Sequence, residues 1–247
     1  MNNKALKIFF PILELFITSV IVSICILGCM KTQNSVESCA RFAECALRCA
    51  IILVFSFFYY FAFPGSFGSS GFFIPVYILF TLVSELKISE NLGPIINQVL
   101  IPSNILVPVF IFSNLMTASS MMGYGIFYEY QNNKSARTFL LLSFAICLVI
   151  VNSVPKPSEV ALIWDIPATR ITCLYAYATS MLIFLVQLFT KATGSDAIKN
   201  MAAMLLILGN CINLFYDTFI MNIVGTAFFA AGCITIMILS KLNEVRL

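Results

Sequence analysis

Four long stretches without a charged side chain constrain this chain more than any other feature. Residues 49–84 and 91–128 contain no Asp, Glu, Lys or Arg, and neither do residues 171–190 and 218–240. One helical crossing of a bilayer needs about 20 consecutive apolar residues. The chain is also 60% hydrophobic and only 10% charged, whereas a soluble domain has about 45–50% apolar and about 25% charged residues. These features predict an integral membrane protein built from α-helices.

Polar and charged connections divide the chain into about eight predicted spans of one all-α transmembrane bundle. These spans are 8–30, 42–63, 72–86, 102–128, 138–154, 171–190, 200–216 and 218–240. The apolar run 200–240 would form a helix about 60 Å long, twice the thickness of the hydrocarbon core, which is about 30 Å. A turn is therefore expected around Asn213–Asp217. Residues 87–101 are semi-polar and are expected to lie at the interface or to re-enter, so seven spans are the alternative.

The first predicted span has two interpretations. Ile26-Leu27-Gly28-Cys29 looks like the lipobox of a bacterial lipoprotein signal, in which Cys29 would become lipidated. The apolar stretch is, however, longer than the roughly 7–15 residues of a signal peptide, and it contains Glu14. An uncleaved first helix is the favoured interpretation, and lipidation of Cys29 stays open.

The distribution of basic residues predicts the orientation in the membrane. With eight spans, both termini lie on the same side. That side has Lys4, Lys7, Lys134, Arg137, Lys191, Lys199, Lys241 and Arg246, whereas the other has Lys31, Arg41, Arg48, Lys87, Lys156 and Arg170. Because cytoplasmic loops carry the excess of Lys and Arg, both termini are predicted to be cytoplasmic, in a cell membrane or an inner membrane.

The composition also excludes several kinds of chemistry. The chain has no histidine, which removes His-ligated haem and any Ser-His or Cys-His catalytic pair. Its nine cysteines include no C-x-x-C pair and are interpreted as small buried apolar residues. Since the net charge of +3 is scattered, no nucleic-acid partner is expected. We predict no catalytic residues, no metal site and no cofactor, and an enzyme is the less favoured class.

Ionisable side chains inside predicted spans are the first candidates for a functional site, because burying a charge in a membrane is costly. Glu14 lies in the first predicted span, and Glu44 and Arg48 lie in the second. Glu44 and Arg48 are four residues apart on one helix face, so they are expected to pair. The alternative is that Glu14 reaches interfacial water and that Glu44 and Arg48 form a purely structural pair.

Amide side chains and one carboxylate form a second candidate group. Asn210 and Asn213 lie on one face of the seventh predicted span, and Asp217 follows in the expected turn. Oxygen atoms of carboxylates and amides bind cations and polar ligands. Asn114 adds a further polar position in the fourth predicted span. The alternative is that these asparagines hold helices together while water solvates Asp217.

Three functions are compatible with these features. A small-molecule permease, or the membrane subunit of a transporter, ranks first because polar residues are scattered through a compact bundle with short loops. A ligand-sensing or signalling module ranks second, and it would act through a partner protein. A lipid-modifying enzyme ranks third, because histidine and a carboxylate cluster are missing. The expected partners are the lipid bilayer, a small-molecule or ion ligand, and a partner subunit or effector.

Overall fold

The computed structural model of the chain describes residues 3–32, 36–62, 71–128, 132–154, 167–190, 194–215 and 219–244. The described residues form helices joined by short connections, with no strand among them. The helices are α1 (Asn3–Lys31), α2 (Val36–Ala62), α3 (Phe73–Ser84), α4 (Ile88–Ile96), α5 (Ser103–Phe127), α6 (Asn133–Ser153), α7 (Pro167–Thr190), α8 (Ser195–Phe215) and α9 (Phe219–Glu244), with a 3₁₀ turn at Glu85–Lys87.

Seven of these helices are long and apolar enough to cross a membrane. They are α1, α2, and α5 to α9. Each overlaps one of the predicted spans and differs from it by a few residues at the ends, where helix boundaries are hardest to place. The structure confirms the prediction of an integral membrane protein built as a bundle of transmembrane helices.

The third predicted span differs most from the structure. We predicted a helix over 72–86 followed by an interfacial or re-entrant segment. In the structure, α3 continues through the 3₁₀ turn into α4. The backbone keeps a right-handed helical conformation where α3 meets the 3₁₀ turn and where the turn meets α4. The path from Phe73 to Ile96 is about 36 Å long at 1.5 Å per residue, enough for a crossing.

α4 forms because Ile88 and Leu92, one turn apart, are buried and α4 packs against α1. It ends at Asn97, whose φ of 53° is left-handed.

Two antiparallel helix pairs place the polar side chains described below. α1 packs on α2, where Gly28 lies against the ring of Phe42. α3 packs on α5, where Gly123 leaves room for the buried ring of Phe73. A β-carbon at either glycine would overlap the facing ring, so each glycine permits the close approach of its pair.

The α8–α9 hairpin confirms the expected turn within the apolar run 200–240. α8 ends at Phe215, and α9 begins at Phe219. A β-carbon on Gly209 would lie 2.6 Å from the Gly225 carbonyl oxygen, so the two helix backbones nearly touch. The predicted site residue Asp217 lies outside the described residues.

Candidate functional site

A buried ion pair lies in the interior of the bundle. Arg48 Nη1, near the middle of α2, lies 3.2 Å from Glu85 Oε1 in the 3₁₀ turn after α3. Each residue is only 3% exposed. Glu44, the predicted partner of Arg48, instead accepts a hydrogen bond of 2.6 Å from the Thr226 hydroxyl of α9. The structure therefore corrects the predicted Glu44–Arg48 pair, because α3 brings a second carboxylate to the guanidinium while Glu44 faces α9.

Asn210 and Asn213 of α8 complete the surroundings of Arg48. Arg48 Nη2 donates to the Asn210 side-chain oxygen, and Asn210 Nδ2 donates to the Tyr77 hydroxyl at 2.9 Å. In the amide orientation that satisfies both of its ends, Asn213 accepts from Arg48 Nη1 and donates to the Asn222 backbone oxygen at 3.2 Å. We call Arg48, Glu85, Asn210, Asn213 and Tyr77 the Arg48 cluster. The spacing of Asn210 and Asn213 in the sequence predicted that they share a helix face, and in the structure both contact the Arg48 guanidinium.

Each bond of the Arg48 cluster compensates part of a large desolvation cost. An arginine and a glutamate removed from water each lose several kcal/mol of hydration, which only good geometry and further hydrogen bonds restore. The guanidinium also lies over the ring of Phe229, 5.4 Å from its centroid, a cation–π contact that is strongest where water is excluded. The cluster is thus satisfied without a ligand, yet α2, α3, α8 and α9 must stay together to keep it so.

A polar cavity borders the Arg48 cluster. It has a volume of about 30 Å³, enough to hold a water molecule. Besides Arg48 and Glu85, charged residues of both signs and amides line it: Arg41, Glu44, Lys87, Asn91, Asn213 and Asn222. Lys87 Nζ donates to the Asn213 backbone oxygen at 2.9 Å. The side-chain oxygen of Asn222 is buried and accepts no hydrogen bond. That oxygen is an acceptor with unused capacity beside the cavity.

Glu14 forms a separate buried site between α1 and α2. Its side chain is fully buried and accepts hydrogen bonds from the Ser56 hydroxyl and, at 3.1 Å, from the Tyr60 hydroxyl. This position contradicts the alternative that Glu14 reaches interfacial water. Ser56 and Tyr60 are one helical turn apart on α2, so a single face of that helix supplies both donors.

Asn114 lies in a third location, between α5 and α7. It accepts a hydrogen bond of 2.9 Å from the Tyr177 hydroxyl and donates one of 2.8 Å to the Phe110 backbone oxygen. Nearby, Ser180 donates to the Ala118 carbonyl at 2.8 Å, and Gln187 donates to the Gly125 carbonyl at 2.8 Å. Hydrogen bonds of this kind join transmembrane helices, so the geometry favours the structural interpretation of Asn114.

The structure therefore brings Arg48, Asn210 and Asn213 together, and Glu44 lines the cavity beside them. Sequence reasoning missed Glu85 and Tyr77. Glu85 carried a usable signal, because it is a carboxylate at the end of a charge-free stretch. Tyr77 also carried a signal, because it lies inside the predicted span 72–86 and not at its ends, where interfacial tyrosines are found.

Among the described residues, no three Cys, Asp or Glu side chains group closely enough to hold a metal ion. The oxygen and nitrogen atoms of the Arg48 cluster are suited instead to a polar or charged group that hydrogen-bonds to arginine and amides. No protein-family model, curated protein or solved structure matches the chain.

Proposed function

We propose that the protein is a small-molecule permease, or the membrane subunit of a transporter, and that the polar cavity beside the Arg48 cluster is its substrate site. The observation that carries the proposal is a buried ion pair bordering a polar cavity within the bundle. A charge pair in a membrane interior is costly to maintain and typically marks a substrate or ion pathway.

The helix that supplies Glu85 supports this proposal. Many transporters bind substrate at helices whose regular geometry is interrupted, because the interruption frees backbone groups and allows movement. In this protein, the 3₁₀ turn Glu85–Lys87 lies between α3 and α4 and lines the cavity with Glu85 and Lys87. A 3₁₀ stretch within a helical path often marks a hinge.

In our proposal, the same contacts control access of the substrate to the cavity. The cavity of about 30 Å³ admits a group the size of a water molecule, so a larger substrate enters only when the helices around it separate. Arg48 holds α2 to the 3₁₀ turn and to α8. In our proposal, a polar substrate replaces some of these hydrogen bonds and thereby lets α2 move relative to the α8–α9 hairpin.

The test is transport by purified protein in proteoliposomes. The vesicles are loaded with amino acids, organic acids, nucleosides and sugars, and their membranes contain fluorescent lipid analogues; mass spectrometry and fluorescence report which compounds cross. We expect one class to move faster than in protein-free vesicles, and Glu85→Gln to abolish this movement. Arg137→Ala, at an exposed position at the start of α6, is the control that retains it.

One outcome would replace the proposal with the sensing module. If a compound binds the protein tightly but crosses the membrane at the protein-free rate under every imposed gradient, the protein is not a permease. Co-purification of a kinase or another effector would then identify the partner through which it signals.

A further inference from the structure

A second cavity, lined by apolar side chains, lies beside the polar one. It is a groove of about 470 Å³ between α2 and α9. α2 contributes Ala40, Ala43, Leu47 and Ile51, and α9 contributes Phe219, Ile223, Ala227 and Ala230. Each set repeats every three or four residues, so one face of each helix forms a wall. The exposed large side chains Leu47 and Ile223 place the groove on the lipid-facing surface.

Glu44 connects the apolar groove to the polar cavity. Its side chain lines both, and its carboxylate accepts the hydrogen bond from Thr226, which also lines the groove. A molecule lying in the groove with its polar end at Glu44 therefore points that end toward the Arg48 cluster. The Glu44–Thr226 hydrogen bond joins the two walls of the groove at this point.

The polar cavity favours a particular head group. The buried Asn222 side-chain oxygen has the capacity to accept a hydrogen bond, and the Glu44 carboxylate has further acceptor sites besides the one that Thr226 uses. A primary ammonium supplies three N–H donors in a compact group, and a cavity of about 30 Å³ holds a group of that size. A trimethylammonium group has no N–H donor and is far larger. Arg41 and Lys87 also line the cavity, so a phosphate next to the ammonium meets positive charge.

We infer that the site binds a membrane lipid with a primary ammonium head, of the phosphatidylethanolamine type. The ammonium occupies the polar cavity near Glu44 and Asn222, and an acyl chain lies in the groove between α2 and α9. The lipid enters sideways from the bilayer, without first dissolving in water. This inference rests on the proposed function, because it names the substrate class of the same site.

The test is photo-crosslinking in vesicles of phosphatidylcholine. The purified protein is exposed to phosphatidylethanolamine carrying a diazirine in its acyl chain, and mass spectrometry locates the attached lipid. We expect attachment to α2 and α9 along the groove, about tenfold stronger than with the matching phosphatidylcholine probe, since the latter loses charge-assisted hydrogen bonds. Equal attachment with both head groups, or attachment spread over all helices, would overturn the inference.

Two tryptophan variants give a matched control for the groove. Ala43 lines the groove and Ala145 lies on α6, and both are exposed. Ala43→Trp fills the groove and should reduce crosslinking about tenfold, whereas Ala145→Trp should leave it unchanged. If instead a bifunctional crosslinker added to the same vesicles joins two copies of the chain and Ala43→Trp abolishes this dimer, a second copy of the chain occupies the groove and the inference is wrong.

The inference and the proposed function fail in different ways. Crosslinking measures binding and requires no transport. If the ethanolamine probe attaches to the groove but no lipid analogue or solute crosses the membrane, the proposed function is overturned and the binding site stands. If a water-soluble solute crosses and the ethanolamine probe shows no preference for the groove, the inference is overturned and the permease stands.

Discussion

The Arg48 guanidinium and the Glu85 carboxylate meet at 3.2 Å, although they belong to different helices and both are almost fully buried. We predict that Arg48→Met and Glu85→Leu each lower the free energy of unfolding by about 3–5 kcal/mol, because each leaves one unpaired buried charge. The double variant should lose less than either single one, since it leaves no charge. Denaturant unfolding in detergent measures all three.

The exposed Arg137 is the control for these variants, and Arg137→Met should change stability by less than about 0.5 kcal/mol. The double-mutant cycle decides the outcome. If the losses of the two single variants simply add in the double variant, Arg48 and Glu85 do not interact energetically, and the ion pair does not hold α2 to α3.

Gly225 of α9 supports the site through the side chain of Asn213. A β-carbon added there would lie 2.9 Å from the Gly209 carbonyl oxygen and would overlap the Asn213 amide. We predict that Gly225→Ala lowers stability by about 1–3 kcal/mol through overpacking and also weakens substrate binding, because Asn213 must turn away from Arg48. Ala231→Val, on the exposed face of the same helix, is the control. Unchanged binding in Gly225→Ala would show that Asn213 is dispensable.

The span boundaries could be predicted because charged connections bound most helices. Arg137 and Arg170, for example, lie close to the start of α6 and α7. The partner of Arg48 could not be predicted. Spacing within a helix favours Glu44, one turn away, but which carboxylate reaches a guanidinium depends on how helices pack, and helix packing is not encoded in local periodicity. α4 was missed for a related reason, since its semi-polar sequence hides the buried stripe of Ile88 and Leu92.

Glu14 gives a prediction that separates its charge from its hydrogen bonds. Ser56 and Tyr60 donate to different oxygens of the Glu14 carboxylate. Glu14→Gln keeps one of these acceptors and places an amide N–H group beside the other hydroxyl, whose oxygen can accept from it, so the protein should fold with nearly unchanged stability. Glu14→Leu removes the carboxylate that accepts from both buried hydroxyls, at a cost of about 1–3 kcal/mol for each hydrogen bond lost. Thermal unfolding in detergent compares the two, with Glu37→Gln at the exposed start of α2 as control. Equal losses for Gln and Leu would mean that the carboxylate charge itself stabilises the α1–α2 pair.

The path from α3 through the 3₁₀ turn to α4 decides whether the two termini face the same side of the membrane. If this path crosses the membrane, it gives eight crossings together with the seven long helices, and an even number puts both termini on one side. The Arg48–Glu85 pair excludes a peripheral α3, because it places Glu85 against the middle of α2. A full crossing and a path that enters the membrane and returns are the two arrangements that fit this contact. We predict that reporter fusions at the two ends are active on the same, cytoplasmic side. A reporter inserted after Asn97 should face the opposite side, since α3 and α4 would then have carried the chain across. Termini on opposite sides would mean seven crossings, with α3 and α4 entering the membrane and returning to the side from which they came.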